Sequence, residues 1–220
     1  MRTRVALLVL LLVTVGAAPP TAAPQYYYLD PSQIDLTMLL PPPPDAASAE
    51  ERSDEEQVAE AIAQRSSAQL AQARQTTKRN VFFFTPSVGP GFTAARLPVT
   101  TRFFACIGSD VQNLIDGAKT HWGRQRPEGS PKGRGSYPSG HAAFAASTAI
   151  VLARLVPSKR DKIFTQARIF AENRILLGRH FPSDVAAGWT AGTIAAYIMM
   201  HDAAFQRDYA AASAELQANL

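Results

Sequence analysis

A single cysteine, Cys106, stands in this chain of 220 residues, so no intramolecular disulfide can form whatever the compartment. Its neighbours Phe103, Phe104 and Ala105 give it the setting of a small buried hydrophobe and not of an activated thiol. Long apolar runs are missing from the body of the chain. Ala142 to Val156 is interrupted by Arg154, and Val185 to Met200 is mostly Ala and Gly. Each stretch has about 15 residues where a membrane helix needs ~20, so both read as buried helices and stable membrane insertion is not expected. No Lys/Arg block occurs and no aromatic ladder is interleaved with basic residues, which argues against nucleic-acid duplex binding. Ser139 lacks the Gly-x-Ser-x-Gly pattern of a nucleophile elbow. No two-histidine ligand motif or carboxylate cluster appears, so neither a metal nor any other cofactor is expected. Strand-like alternation and internal repeats are also missing.

The chain opens with Arg2 and Arg4, an apolar run from Val5 to Val15, and the small residues Gly16, Ala17 and Ala18. This is the three-part pattern of a signal peptide, with cleavage expected between residues 17 and 23. Residues 24–47 form a proline-rich segment. Pro41 to Pro44 must be extended, and the Tyr and Leu content argues that the segment packs over the domain. Residues 48–220 then read as one all-helical domain. Ser48 and Glu51 make a capping box for a long helix reaching about Arg74, with a solvated acidic face. Asn80 to Arg102, rich in Pro and Gly, reads as a connection. Helical patterns follow over 101–122, 141–155, 159–177 and 182–202. The fold class is all-α, a single-domain helical bundle.

Charge is unevenly placed. Residues 1–100 carry 8 basic and 9 acidic side chains, residues 101–220 carry 14 and 9, and the basic half holds three ordered motifs. These are KTHWGRQRP at Lys119 to Pro127, PSGH at Pro138 to His141, and RILLGRHFPSD at Arg174 to Asp184. Lys119, Arg126 and Arg174 supply charge-assisted and forked hydrogen bonds suited to phosphate oxygens, and Ser139 with the Gly140 amide adds neutral donors. The turn feeds a helix, whose positive end can face an anion. Two histidines remain for chemistry. Asp184 lies one short hop from His180 and can fix its tautomer, leaving the other ring nitrogen free to attack phosphorus. His141, from a different element, is placed to protonate the leaving group. Singly, each residue is ordinary. Together they hold eight non-interchangeable positions in one order between Lys119 and Asp184. Tyr137, Trp122 and His121 flank the motifs and read equally well as core or pocket lining, and His201 reads as structural.

The three segments resemble the signature of the phosphatidic acid phosphatase type 2 superfamily. More narrowly, Gly135 to His141, the LLPPPP stretch at Leu39 to Pro44 and the export signal resemble the bacterial class A non-specific acid phosphatases. The resemblance implies an all-helical fold shared with vanadium haloperoxidases and a cofactor-free, metal-independent phosphohydrolase of small phosphomonoesters in the periplasm. It implies His180 as nucleophile, Asp184 as its orienter, His141 as general acid, and Lys119, Arg126, Ser139, Gly140 and Arg174 as phosphate ligands. A homodimer is common in that family. Asn173, Ala142 and Glu128 depart from the usual Ser, Thr and Phe, which bears on the pocket rim and substrate preference. A lipid phosphate or diphosphate phosphatase of the same superfamily, or a vanadate-dependent haloperoxidase, is the alternative.

Overall fold

Every regular element of the structure, a computed structural model describing residues 26–129 and 135–220, is helical. The signal-peptide segment lies outside the described residues. In chain order the α-helices are α1 (Leu36–Leu39), α2 (Ala49–Gln64), α3 (Ser67–Gln75), α4 (Thr85–Val88), α5 (Pro98–Trp122), α6 (Gly140–Leu155), α7 (Arg160–Leu176), α8 (Pro182–Met199) and α9 (Ala203–Asn219). Among the described residues none is long and apolar enough to cross a membrane.

The centre of the bundle is α6. Half of its 16 residues are Ala, Gly or Ser, and 12 of the 16 are buried. Small side chains let neighbouring backbones approach, and α8 uses this on one side while α5 and α7 flank the others. A Cβ on Gly188 would overlap the Ser139 carbonyl oxygen and lie 3.0 Å from the Ser139 nitrogen. One on Gly192 would overlap the Ala143 carbonyl oxygen and lie 2.7 Å from the Ala143 Cα. Only glycine permits this contact. α9 covers α5, with Phe103, Phe205 and Tyr209 in edge and tilted ring contacts, while α2 and α3 cover α7.

The proline-rich segment docks through its backbone. Asp110, buried on α5, accepts from the amides of Tyr28 (2.7 Å), Leu29 and Tyr27 (both 3.1 Å). Tyr28 packs edge-on against Phe205, and the Tyr137 hydroxyl donates to the Pro41 carbonyl.

Several expectations change. The helix expected to run unbroken to Arg74 is two: Arg65 turns into extended backbone, and Ser66 with Gln69 caps α3 in a reciprocal box. At Ser48 only half of the box forms, since its hydroxyl accepts from Glu51 N (3.0 Å) while the Glu51 carboxylate turns to Arg124. The acidic face of α2 is therefore not simply solvated. The 80–102 connection contains a 3₁₀ turn (Val81–Phe84), α4 and the first turn of α5. The last helix lies beyond the patterns that end at 202: α8 stops at Met199 and Asp202 caps α9, accepting from Phe205 N at 2.8 Å.

Candidate active site

Two loops and one turn build the site, and local backbone chemistry fixes all three. Gly123 (φ 59°) closes α5 and releases the loop that carries Arg124 and Arg126. Gly178 (φ 66°) closes α7 in a Schellman arrangement: Gly178 N donates to Ile175 O at 2.8 Å and Arg179 N to Arg174 O at 2.9 Å. His180 then leads into α8, whose first residue is Pro182. Ser139 caps α6 by accepting from Ala142 N (3.3 Å), and its own amide donates to the Asp184 carbonyl at 2.9 Å. The PSGH turn and the start of α8 are thus tied together.

Asp184 is wholly buried and accepts from four directions. Its Oδ2 takes the Phe181 amide (2.9 Å), the Ser136 hydroxyl and His180 Nδ1 (3.2 Å); its Oδ1 takes Arg124 Nη1 (2.8 Å). Burial pushes its pKa up, and this is outweighed by the bonds from His180 and Ser136 and by the Arg124 charge, so the carboxyl ends below its usual range. A carboxylate can only accept, so Nδ1 of His180 carries the proton and Nε2 keeps its lone pair. That Nε2 faces Arg126 Nη1 at 3.2 Å. Burial above all lowers the His180 pKa to about 3, with the Lys119 and Arg126 charges adding to the effect. The ring is therefore neutral.

Around Nε2 stand the cations. Arg126 also donates to Arg179 O (2.9 Å) and Gly135 O (3.3 Å). Lys119 Nζ, from the last turn of α5, donates to the Gly135 and Ser136 carbonyls at 2.8 and 2.7 Å. Burial first, then the Arg126 charge, brings its pKa down to about 7. Arg174 is 4% exposed, and its Nε and Nη1 have no hydrogen-bond partner among the described residues. A buried fork of unspent donors suits an oxyanion. His141 presents Nε2 to the Thr77 carbonyl (3.1 Å) and stacks on Phe170. Burial, then the Arg174 charge, lowers its pKa to about 2.

A cavity of about 500 Å³ brings Lys119, Arg126, Gly140, His141 and His180 to one surface. Arg174 and Ser139 lie behind that surface. Ser139 is fully buried as the α6 cap, so its side chain is a structural acceptor here, and does not line the cavity. Tyr137 is core, in edge contact with Trp122.

Three residues that the motif spacing did not single out belong to this region. Arg124 donates to Asp184, Asp54 (2.8 Å), Glu51 and Ser183, and lies over the Phe181 ring at 4.2 Å. Ser136 bridges Asp184 and His180. Arg79, from the segment after α3, lines the cavity with Gln112 and Asp116 of α5. The one signal for Arg124 is its place inside KTHWGRQRP, a motif in which every cation has a task.

An acid phosphatase of Zymomonas mobilis is 35% identical over 147 residues, covering 60% of this chain and 54% of the relative. A non-specific acid phosphatase of Salmonella typhi is 28% identical over 154 residues, covering 60% and 59%. This chain thus spans little more than half the length of these two relatives. Among solved structures, a transmembrane PAP2-type phosphatidylglycerolphosphate phosphatase from Bacillus subtilis superposes with a TM-score of 0.51 at 18% identity, over 70% of this chain and 86% of the other, which is a likeness of fold. The PAP2 superfamily matches residues 98–208, from the first turn of α5 into α9 and across every residue of the three motifs, and the chain belongs to that superfamily.

Proposed function

We propose that this protein is an exported acid phosphatase that hydrolyses phosphate monoesters of broad range, without a metal ion, through a phosphohistidine on His180. One observation carries the reading: a buried imidazole whose tautomer is held by Asp184, with its open nitrogen among cations. The names of the relatives point the same way. Export to the periplasm rests on the charged, apolar and small-residue blocks of residues 1–23.

In this mechanism the phosphate oxygens take over the N–H groups of Arg126 and the unspent fork of Arg174, with Lys119 and the Gly140 amide as further donors. The freed Nε2 lone pair of His180 attacks phosphorus. A P–N bond forms as the ester P–O bond breaks, the leaving oxygen keeps the bonding pair, and His141 gives it a proton. Asp184 faces the imidazolium that results. Water, deprotonated by His141, then attacks phosphorus, the P–N pair returns to His180, and inorganic phosphate departs. Since Nε2 of His141 donates to Thr77, the exchangeable proton is carried on Nδ1. The free enzyme holds this imidazole neutral; a bound dianion favours its protonated form, so the substrate itself restores the acid.

Hydrolysis of p-nitrophenyl phosphate is expected to proceed at full rate in excess chelator, and rapid quench with radiolabelled substrate is expected to trap acid-labile, base-stable label on His180. Label on Ser139, or activity restored only by a divalent ion, would overturn the reading.

Lys119 makes anion binding pH-dependent. Its pKa of about 7 in the free enzyme means that it is mostly neutral above that pH, whereas a bound oxyanion favours the charged form. Binding therefore takes up a proton, and affinity falls as pH rises. Sulfate keeps its two charges throughout, so it isolates the protein's titration. Calorimetry is expected to show sulfate affinity weakening by up to about tenfold per pH unit above pH ~7, and Lys119→Arg to flatten the slope. A flat wild-type line would remove Lys119 from the anion site.

A further inference from the structure

α2 lies N-terminal to residues 98–208, the span that matches the superfamily, yet it brings two carboxylates to the surroundings of Asp184. Glu51 and Asp54 stand three residues apart and so share one face of the helix, with the buried Val58 one turn further on. That face meets Arg124. Asp54 is 5% exposed. Its Oδ1 accepts from the Ser183 amide at 3.1 Å, and its Oδ2 accepts from the Ser183 hydroxyl and from Arg124 Nη2 at 2.8 Å. The N-cap position of α8 is Phe181, a residue without a side-chain acceptor, and Asp54 supplies one from another helix. The Glu51 carboxylate takes Arg124 Nη2 and, among the described residues, no donor of α8.

Arg124 Nη1 reaches Asp184 Oδ1 at 2.8 Å, so one guanidinium is shared by three carboxylates. The sharing bears on the charge that His180 meets. When Nε2 bonds to phosphorus, the ester P–O pair leaves with the oxygen, which takes the proton of His141; the ring keeps its proton on Nδ1 and becomes a cation. It does so beside Lys119 and Arg126, whose charges oppose it. Were Arg124 paired with Asp184 alone, the pair would be close to neutral and would offer that cation little attraction. Asp54 and Glu51 draw on the same guanidinium, and the cluster stays anionic.

Building on the phosphohistidine reading, we propose that Asp54 is a positioning residue for the reaction: from α2 it offsets the Arg124 charge, which leaves Asp184 anionic toward His180 and favours formation of the cationic phosphoimidazole. Glu51, less buried, adds to the same effect. A helix outside the span of the three motifs thereby takes part in the chemical step. It touches neither the substrate nor the reacting atoms.

Rapid quench with radiolabelled p-nitrophenyl phosphate resolves phosphorylation of His180 from hydrolysis of the phosphoenzyme. In Asp54→Asn, phosphorylation is expected to slow about tenfold, while hydrolysis of the phosphoenzyme does not slow, because the departing ring is a less stabilised cation. Sulfate affinity, read by calorimetry, is expected to stay within about twofold, since Lys119, Arg126 and Arg174 are untouched. A role confined to holding the start of α8 would slow both steps alike. Glu51→Gln leaves Ser183 its Asp54 acceptor and is expected to move the two steps apart in the same sense, with phosphorylation slowed about threefold. Thermal melts show which variants fold, and Glu51→Gln carries the test alone if Asp54→Asn does not. Phosphorylation unchanged in a folded variant, or both steps slowed alike, overturns the role of α2 alone. A wild type that turns over without a phosphoenzyme overturns the phosphohistidine reading with it.

Discussion

Replacing His180 by alanine is expected to lower kcat/KM for p-nitrophenyl phosphate by about 10⁴-fold or more and to abolish the trapped phosphoenzyme together with turnover. The size follows from what goes with the ring. In the proposed mechanism Nε2 is the nucleophile, and Nδ1 is the nitrogen held by Asp184. His141→Ala is expected to lose less, about 10²- to 10⁴-fold, and to lose more with alkyl phosphates than with p-nitrophenyl phosphate, because only the poorer leaving group depends on the donated proton. Single-turnover kinetics on the two variants separate these patterns. Residual phosphoenzyme in His180→Ala, or equal sensitivity of both variants to the leaving group, would reassign the roles.

The second large effect is on stability. Arg124→Ala is expected to destabilise the fold by about 3–5 kcal/mol, because it strands the carboxylates of Asp184, Asp54 and Glu51 around a site where they share one cation. The side chains are 7% (Arg124), 0% (Asp184), 6% (Asp54) and 17% (Glu51) exposed, so water cannot replace the lost partner at the first two acids. For a chain of this size the loss corresponds to a fall in Tm of roughly 6–20 °C. Adding Glu51→Gln and Asp54→Asn to Arg124→Ala is expected to restore part of the stability while leaving activity low, since Asp184 still lacks its Oδ1 partner. Urea unfolding of the three proteins decides it. A loss under about 1 kcal/mol in the single variant would mean that the cluster is screened by solvent.

The motifs were readable because oxyanion chemistry narrows residue choice. Lys119, Arg126 and Arg174 have to be cations, His180 has to be an imidazole, and Asp184 has to stand within a helical turn of it, so type and spacing together carry the message. Arg124 and Ser136 act through partners as far off in sequence as Glu51 and Asp184, and Arg79 through Gln112; apart from Arg124's place inside KTHWGRQRP, nothing local marks them. The same contrast holds for the fold. α5 to α8 carry dense apolar patterns. The break at Arg65 contains neither Pro nor Gly, and it is held by a tertiary contact, the Arg65 guanidinium on the Leu176 carbonyl. In α9 the buried residues Phe205, Ala212 and Leu216 are diluted by alanines whose pattern is weak. Capping at Ser48 shows how a local rule yields to a distant one: Glu51 would complete the box, yet the buried Arg124 guanidinium is the stronger partner.

Because Gly188 and Gly192 set α8 directly against the backbone of α6, the spacing between the proposed proton donor and the proposed nucleophile is a property of the main chain. His141 rides on α6 and Asp184 on α8, with the Ser139 amide bonded to the Asp184 carbonyl between them. No rotamer stands in that interval to relax when a neighbouring side chain changes. Substitutions on the outer faces can therefore retune which esters are accepted without moving the reacting atoms. Divergence of specificity in such a chain is channelled into the segments around Arg79 and Arg126, whose long side chains reach the cavity wall from loops.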